Sequence, residues 1–197
     1  MRKGEDWGAS EPVPEDAVVV DSDREAAELA AANRRANMPV PPMVLTGGDL
    51  ARTLGGGTRP STRHTHVAVD LGAVLIDGKL QWFVAHLVAR RFWLRGRVVV
   101  AANAAFMGEW NVAPRAHPGD GRLDLIDADP PFGDRLKARR RLPLGTHVPH
   151  PAISVRRTDA VQVELDTPTP IRLDGHLVGS ARSLSIRVEP NALDIWI

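Results

Sequence analysis

The rhythm of apolar and polar positions changes once along this chain. In the first part, two short apolar runs flank an alanine-rich stretch of helical period. Ala17-Val18-Val19-Val20 reads as a short buried strand. Ser22 and Glu25 then supply the S-x-x-E pattern of a helix start, and the helix is predicted to run through Ala36 and stop at Asn37 ahead of Pro39. Pro42-Met43-Val44-Leu45-Thr46 reads as a second strand, so the segment predicts one β-α-β unit with a parallel crossover. A glycine turn, Gly47-Gly48, follows, with Asp49 near the start of a short helix, where a carboxylate is favoured.

From His64 onward the texture is β. His64, His66, Ala68 and Asp70 alternate with Thr65, Val67, Val69 and Leu71. Val74-Leu75-Ile76 and Leu80-Gln81-Trp82-Phe83 flank Asp77-Gly78, a strong hairpin signal. Further strands are predicted at Arg97 to Ala105, Leu123 to Ile126, Ala152 to Arg156, Val161 to Leu165, Ile171 to Leu173, Ser183 to Val188 and Leu193 to Ile197, with a short basic helix from Phe132 to Leu142. Many short strands at turn-like intervals are the pattern of a β-sandwich. The stretch from Asn103 to Asp127 joins two of them through Gly108, Pro114, Pro118 and Gly119-Asp120-Gly121. A long loop pinned by proline inside a domain more often serves function than slack.

Composition narrows the classes. The chain has 197 residues, is 43% hydrophobic, and carries a net charge of +1, so no large positive excess argues for nucleic acid. It has no cysteine, which excludes disulfides and thiol chemistry. The proline-bearing acidic start, through residue 16, reads as a disordered arm without the apolar segment of a signal peptide. No apolar run is long enough to span a bilayer, so a cytoplasmic protein is expected.

Several motifs, in order, then carry a family resemblance. Asn103, Met107-Gly108, Ala113-Pro114-Arg115-Ala116 and Asp120-Gly121-Arg122-Leu123-Asp124 stand in sequence. Thr46-Gly47-Gly48-Asp49-Leu50-Ala51-Arg52 precedes them; Gly145-Thr146-His147, Leu173-Asp174-Gly175 and Val188-Glu189-Pro190-Asn191-Ala192-Leu193 follow. This succession resembles the diacylglycerol kinase-like lipid kinases, which include sphingosine kinase-like and bacterial members, and it spans residues 17 to 197. The resemblance implies transfer of the ATP γ-phosphate to a lipid hydroxyl, at a site between an α/β nucleotide domain and a β-sandwich. The expected architecture is α+β: a truncated β-α-β nucleotide lobe over 17–62, then a mostly antiparallel β-sandwich over 63–197.

The resemblance also assigns residues. Asp174 stands where the family has its proposed general base, with His176 replacing the assisting glutamate; a hairpin turn between Leu173 and Leu177 is the plain alternative. Gly47, Gly48 and Asp49 fall at the nucleotide. Asp120, with backbone oxygens at His117 and Arg122, falls at a magnesium position, again with a tight turn as the alternative. Where the family has its glycine-rich phosphate loop, this chain reads Val20-Asp21-Ser22-Asp23-Arg24, with two carboxylates and no glycine. Two functions are therefore expected in competition: an ATP- and magnesium-dependent lipid kinase, or a non-catalytic relative that binds a lipid, a membrane or a protein.

Other features enter that contest only weakly. His147-x-x-His150 and His64-x-His66 lack an evident third metal ligand and read as core-edge or surface histidines. The mixed basic and apolar segments Arg90 to Arg95 and Arg135 to Arg141 suit either a solvated face or an anionic membrane surface at which the protein sits peripherally. The truncated lobe leaves a sheet edge exposed, so a homodimer or a partner chain completing it is expected.

Overall fold

A computed structural model describes residues 8–56, 64–92 and 95–197. The parallel unit forms as the pattern requires. Strand β2 (Val18–Val20) pairs parallel with β3 (Met43–Leu45), and helix α1 (Asp23–Arg35) makes the crossover. Ser22 caps α1 by accepting from the Glu25 amide at 3.4 Å, and Glu25 reaches back to the Asp21 amide at 2.9 Å. The face of α1 carrying Ala26, Ala27, Ala30 and Ala31 is buried, which explains the alanines: only small side chains let the helix lie this close to the strands. Helix α2 (Gly48–Thr53) follows. Residues 1–7 of the expected arm lie outside the described residues; Ala9 and Ser10 form β1, paired antiparallel with His66 and Thr65.

The remainder is a mostly antiparallel sheet folded into a sandwich. Strand β4 (Thr65–Ile76) pairs with β5 (Lys79–Phe83) through the Asp77-Gly78 turn and with β13 (His176–Trp196). Strand β13 pairs with β12 (Ala160–Leu173), and β12 with β6 (His86–Arg90). The order continues through β7 (Val98–Ala102), β10 (Leu123–Ala128) and β11 (Ile153–Thr158). The parallel unit joins this sheet directly, because β3 also pairs with β13 at Ile195 and Trp196. Between β7 and β10 a small hairpin forms from β8 (Phe106–Met107) and β9 (Trp110–Asn111); between β10 and β11 lies helix α3 (Phe132–Arg141).

Among the described residues, three apolar clusters form the core. One joins α1 and α2 to the strands beneath them, among them Leu45, Leu50, Val69 and Ile195. The second is the sandwich interior, with Phe83, Leu87, Val99, Leu123 and Ile186. The third lies on the outer face of β6, β7 and β10, where Val88, Val100 and Ile126 meet Val112 and Ala113. Burial of both faces explains why Val98 to Ala102 is an unbroken apolar run.

Three expected strand pairs merge into single strands. Thr65 to Leu71 and Val74 to Ile76 belong to β4, which starts one residue after His64, the segments on either side of Pro168 to β12, and those on either side of Pro190 to β13. The ladder shifts register between Glu164 and Thr169 and between Glu189 and Leu193, so the prolines sit where pairing is relaxed. Strand β6 was not expected from the pattern.

Candidate functional site

Two hollows adjoin on the outer face of β6. The first is a polar cleft of about 660 Å³ between the parallel unit and the sandwich, lined by Asp23, Asp49, His86, Arg90, Glu109, Arg172 and Asp174. Residues 23 and 174 come from opposite ends of the chain, and the pairing of β3 with β13 brings them together.

Asp23, Asp49 and Asp174 are each held by backbone amides. Asp174 sits at φ 45° in the turn between β12 and β13. Its Oδ2 accepts from the Val84 amide at 2.8 Å; its Oδ1 accepts from Ala85 at 2.9 Å and His86 at 2.8 Å. The side chain thus clamps the corner between β5 and β6. Burial drives its pKa up to about 7, with the three amides opposing and Asp23 adding to the rise. His176 lines a separate groove beside Arg24, Arg35 and Trp82, which Asp174 also lines, and is not among the residues of the cleft that holds Asp49 and His86.

Asp23 does the same for α2. Its Oδ2 accepts from the Asp49 amide at 2.6 Å and its Oδ1 from Leu50 at 3.0 Å. Burial raises its pKa to about 6. Gly47 and Gly48 permit this approach: a Cβ on Gly47 would stand 2.4 Å from the Asp21 carbonyl oxygen, and one on Gly48, at φ +96°, would stand 2.5 Å from Asp23 Oδ1. Asp49 in turn accepts from the Gly108 amide at 2.6 Å, tying α2 to the β8–β9 hairpin. Its other oxygen lies 3.8 Å from Nδ1 of His86. His86 is buried and contacts the Ala104 carbonyl at 3.0 Å through Nε2; burial lowers its pKa.

This geometry does not fit a nucleotide phosphate at α2. The helix amides that would face an anion are already taken by the carboxylate of Asp23, and Asp49 and Asp174 line the same cleft. Like charges about 4 Å apart repel by roughly 4 kcal/mol at a surface-like dielectric. The Asp120 loop does not fit magnesium either. Asp120 Oδ1 accepts from the Arg122 amide at 3.0 Å, and its other oxygen pairs with Arg157, whose guanidinium also lies 3.5 Å from the buried Asp124. Among the described residues, no three histidine or carboxylate side chains converge on a metal position. The loop is held instead by buried Asp70, which accepts from the Gly121 amide at 2.7 Å and the Asn191 amide at 2.9 Å. Asn103 is buried as well, donating to the carbonyls of Asp70 at 2.8 Å and Val84 at 2.9 Å.

The second hollow is apolar, about 180 Å³, between the third cluster and α3. Val88, Val100, Met107, Trp110, Ile126 and Leu136 line it, and Arg90 lines both hollows. His147 closes one side, bonded to the Val112 backbone, with burial lowering its pKa. His150 instead binds the Ala152 amide at 3.1 Å.

Residues 68–197 match the family described as YegS C-terminal NAD kinase beta sandwich-like domain. The chain belongs to this family. Its fold is shared with solved structures from Bacillus anthracis str. Sterne. Two are of a candidate diacylglycerol kinase, 13% and 12% identical, each with a TM-score of 0.66 over 91% of this chain and 77% of that one. A third, described as of diacylglycerol kinases, is 14% identical, with a TM-score of 0.60 over 91% of this chain and 75% of that one. The comparison with curated proteins finds no match. The chain thus shares with these structures a mostly antiparallel sandwich, the fold that the ordered motifs imply. Among the described residues, no helix is long and apolar enough to cross a membrane.

Sequence order singled out Asp174 and Asp49. It missed Asp23 as the cap of α2, His86, and the pair Arg90 and Arg172. For Asp23 a signal was present, since the residue stands where the family has its phosphate loop. Arg90 opened a basic and apolar segment already noted, whereas for Arg172 there was no signal.

Proposed function

We propose that this chain binds an amphipathic lipid and does not itself transfer phosphate. The observation that carries the reading is the apolar hollow opening beside the polar cleft, with Arg90 at their junction. An apolar space between a sheet and a helix excludes water from a hydrocarbon chain, while the cleft keeps polar partners for a head group. At about 180 Å³ the hollow is below the roughly 300 Å³ at which drug-sized pockets begin, so one acyl chain suits it better than two. The carboxylate wall explains the lost phosphoryl transfer: Asp23 already fills the place of an anion at α2.

Native mass spectrometry of the purified chain incubated with a monoacylglycerol tests this. A one-to-one adduct is expected, and Val100→Phe, which fills the hollow, should abolish it while the melting temperature stays within a few degrees. Absence of any adduct on the unaltered chain sinks the reading. With labelled magnesium-ATP no labelled lipid should appear; a labelled product that disappears in Asp174→Asn would restore the kinase.

The helix over the hollow favours contact with a membrane. No residue of α3 is buried, and Phe132, Leu136 and Leu144 are exposed beside Lys137, Arg140 and Arg141. Apolar side chains among cations suit the headgroup region of an anionic bilayer, at about 1 kcal/mol per basic residue near the surface. Vesicles containing phosphatidylglycerol should retain the protein and neutral phosphatidylcholine vesicles should not. Arg140→Gln with Arg141→Gln should lower retention about tenfold.

A further inference from the structure

The buried carboxylates of the polar cleft are already engaged. Both oxygens of Asp23 and both of Asp174 receive backbone amides, and Asp49 Oδ1 receives that of Gly108. Two acceptors where β6 meets α2 are not engaged. His86 turns Nε2 to the Ala104 carbonyl at 3.0 Å. A carbonyl has no proton to give, so Nε2 carries the hydrogen, and Nδ1 of the neutral ring is left as an acceptor. Nδ1 faces Asp49 Oδ2 at 3.8 Å, too far for a hydrogen bond between them. Among the described residues, no N–H or O–H group reaches either atom. His86 is 3% exposed, and its burial favours the neutral ring while Asp49 pulls the other way. A lone pair thus confronts a carboxylate oxygen at the wall of the cleft, and a donor placed between the two relieves both.

This pair stands beside the apolar hollow. His86 and Val88 lie about 7 Å apart on one face of β6, and Val88, Met107 and Trp110 line both the cleft and the hollow. Arg90, Arg172 and Glu109 line the cleft too, so its charges are of both signs. Selection at the pair therefore rests on hydrogen-bond donors and not on the overall charge of the cleft. A hydroxyl group has one proton and satisfies one of the two acceptors. An ammonium group has three, satisfies both from a single atom, and matches the charge of Asp49. We propose that Asp49 and His86 form a head-group site for a primary amine, and that the ligand of this chain is a single-chain lipid with a protonated amino group. The inference rests on the lipid-binding reading above and adds the chemistry of the head. The ammonium nitrogen donates to Asp49 Oδ2 and His86 Nδ1, and the hydrocarbon chain runs over Val88 into the hollow beneath α3.

The test uses the full chain at pH 8, where an alkylamine is protonated. Four amphiphiles of equal chain length are compared by calorimetry below their micellar concentrations: dodecylammonium, dodecyltrimethylammonium, dodecanol and laurate. Dodecylammonium should bind at least tenfold more tightly than each of the others. The trimethylammonium ion carries the charge without an N–H group, and dodecanol carries a donor without the charge. Asp49→Asn keeps an oxygen for the Gly108 amide and turns its own NH₂ toward His86 Nδ1, which closes the gap from within. It should weaken dodecylammonium about tenfold, leave dodecanol unchanged, and melt no lower than the parent. His86→Gln keeps a donor for the Ala104 carbonyl but withdraws the ring nitrogen, and should weaken dodecylammonium to a similar extent. If any of the other three amphiphiles binds as tightly as dodecylammonium, or both variants bind it as the parent does, the proposal is overturned and the hollow remains as a lipid site. Failure of every amphiphile to bind overturns both readings. Melting curves of each variant exclude loss of fold as the cause.

Discussion

Asp70→Ala is expected to lower the stability of the protein by about 3–5 kcal/mol. The residue is fully buried, and its two carboxylate oxygens are the acceptors of the Gly121 and Asn191 amides. Each amide left without an acceptor in such a place costs about 1–3 kcal/mol. The loss is not local. The Gly121 amide belongs to the loop that returns the chain to β10, and Asn191, at φ 48°, lies where β13 shifts register against β4. Asp70 also receives the Pro118 loop through its own amide, at 2.6 Å. Urea denaturation should show a lower midpoint with little change in slope. Asp70→Asn keeps one acceptor oxygen and should lose about half as much. If the alanine variant loses less than about 1 kcal/mol, water has replaced the carboxylate and the clamp is not what holds the loop.

Asp70 also shows how far the sequence could be read. Its place in the alternation beside His64 and His66 was plain, and so was a strand. Its burial was not, because the residues that cover it come from positions 118–121 and 191. Local period gave the β-α-β unit, the Asp77-Gly78 hairpin and α3, since each is set by neighbours within a few residues. Strand β6 escaped because His86 to Arg90 is buried on both faces down to Arg90 and so shows no alternation. Pro168 and Pro190 fall where the ladder shifts register, and Pro170 pairs with Ser180 inside β12, so the strands run on through all three. The ordered motifs located Asp174, Asp49 and Asp120, but a motif names a position and not its partners. Arg157 beside Asp120, Asp23 across the start of α2, and Arg90 next to Arg172 are all pairings over long sequence distances, fixed only when the sheet closes.

Asp174→Ala is the second large effect, and it bears directly on function. Three amides lose their acceptor, and alanine must also adopt the left-handed backbone that aspartate tolerates at φ 45°. Water in the cleft relieves part of this, so a loss of about 3–4 kcal/mol is expected. A lipid-phosphorylation assay on this variant alone would therefore misread an unfolding corner as a lost base. The acid–base behaviour separates the two. The folded pKa of about 7 lies above the usual aspartate value, so the folded state holds the extra proton. Stability from this group is full below about pH 4 and is lost as pH rises through 7. Asp23, at about 6, follows the same sign lower down, whereas His86 and His147, with lowered pKa values, oppose it below about 6.5. The clean window is thus pH 6.5 to 8, over which Asp174 should remove up to about 1 kcal/mol. Asp174→Asn retains an acceptor for Ala85 and His86 but turns a donor toward Val84, so it should be less stable than the parent at pH 6.5. It should also lack the fall toward pH 8, and the two stability curves should converge. Parallel curves would mean that Asp174 is already ionised at pH 6.5, and the clamp would then be an ordinary carboxylate.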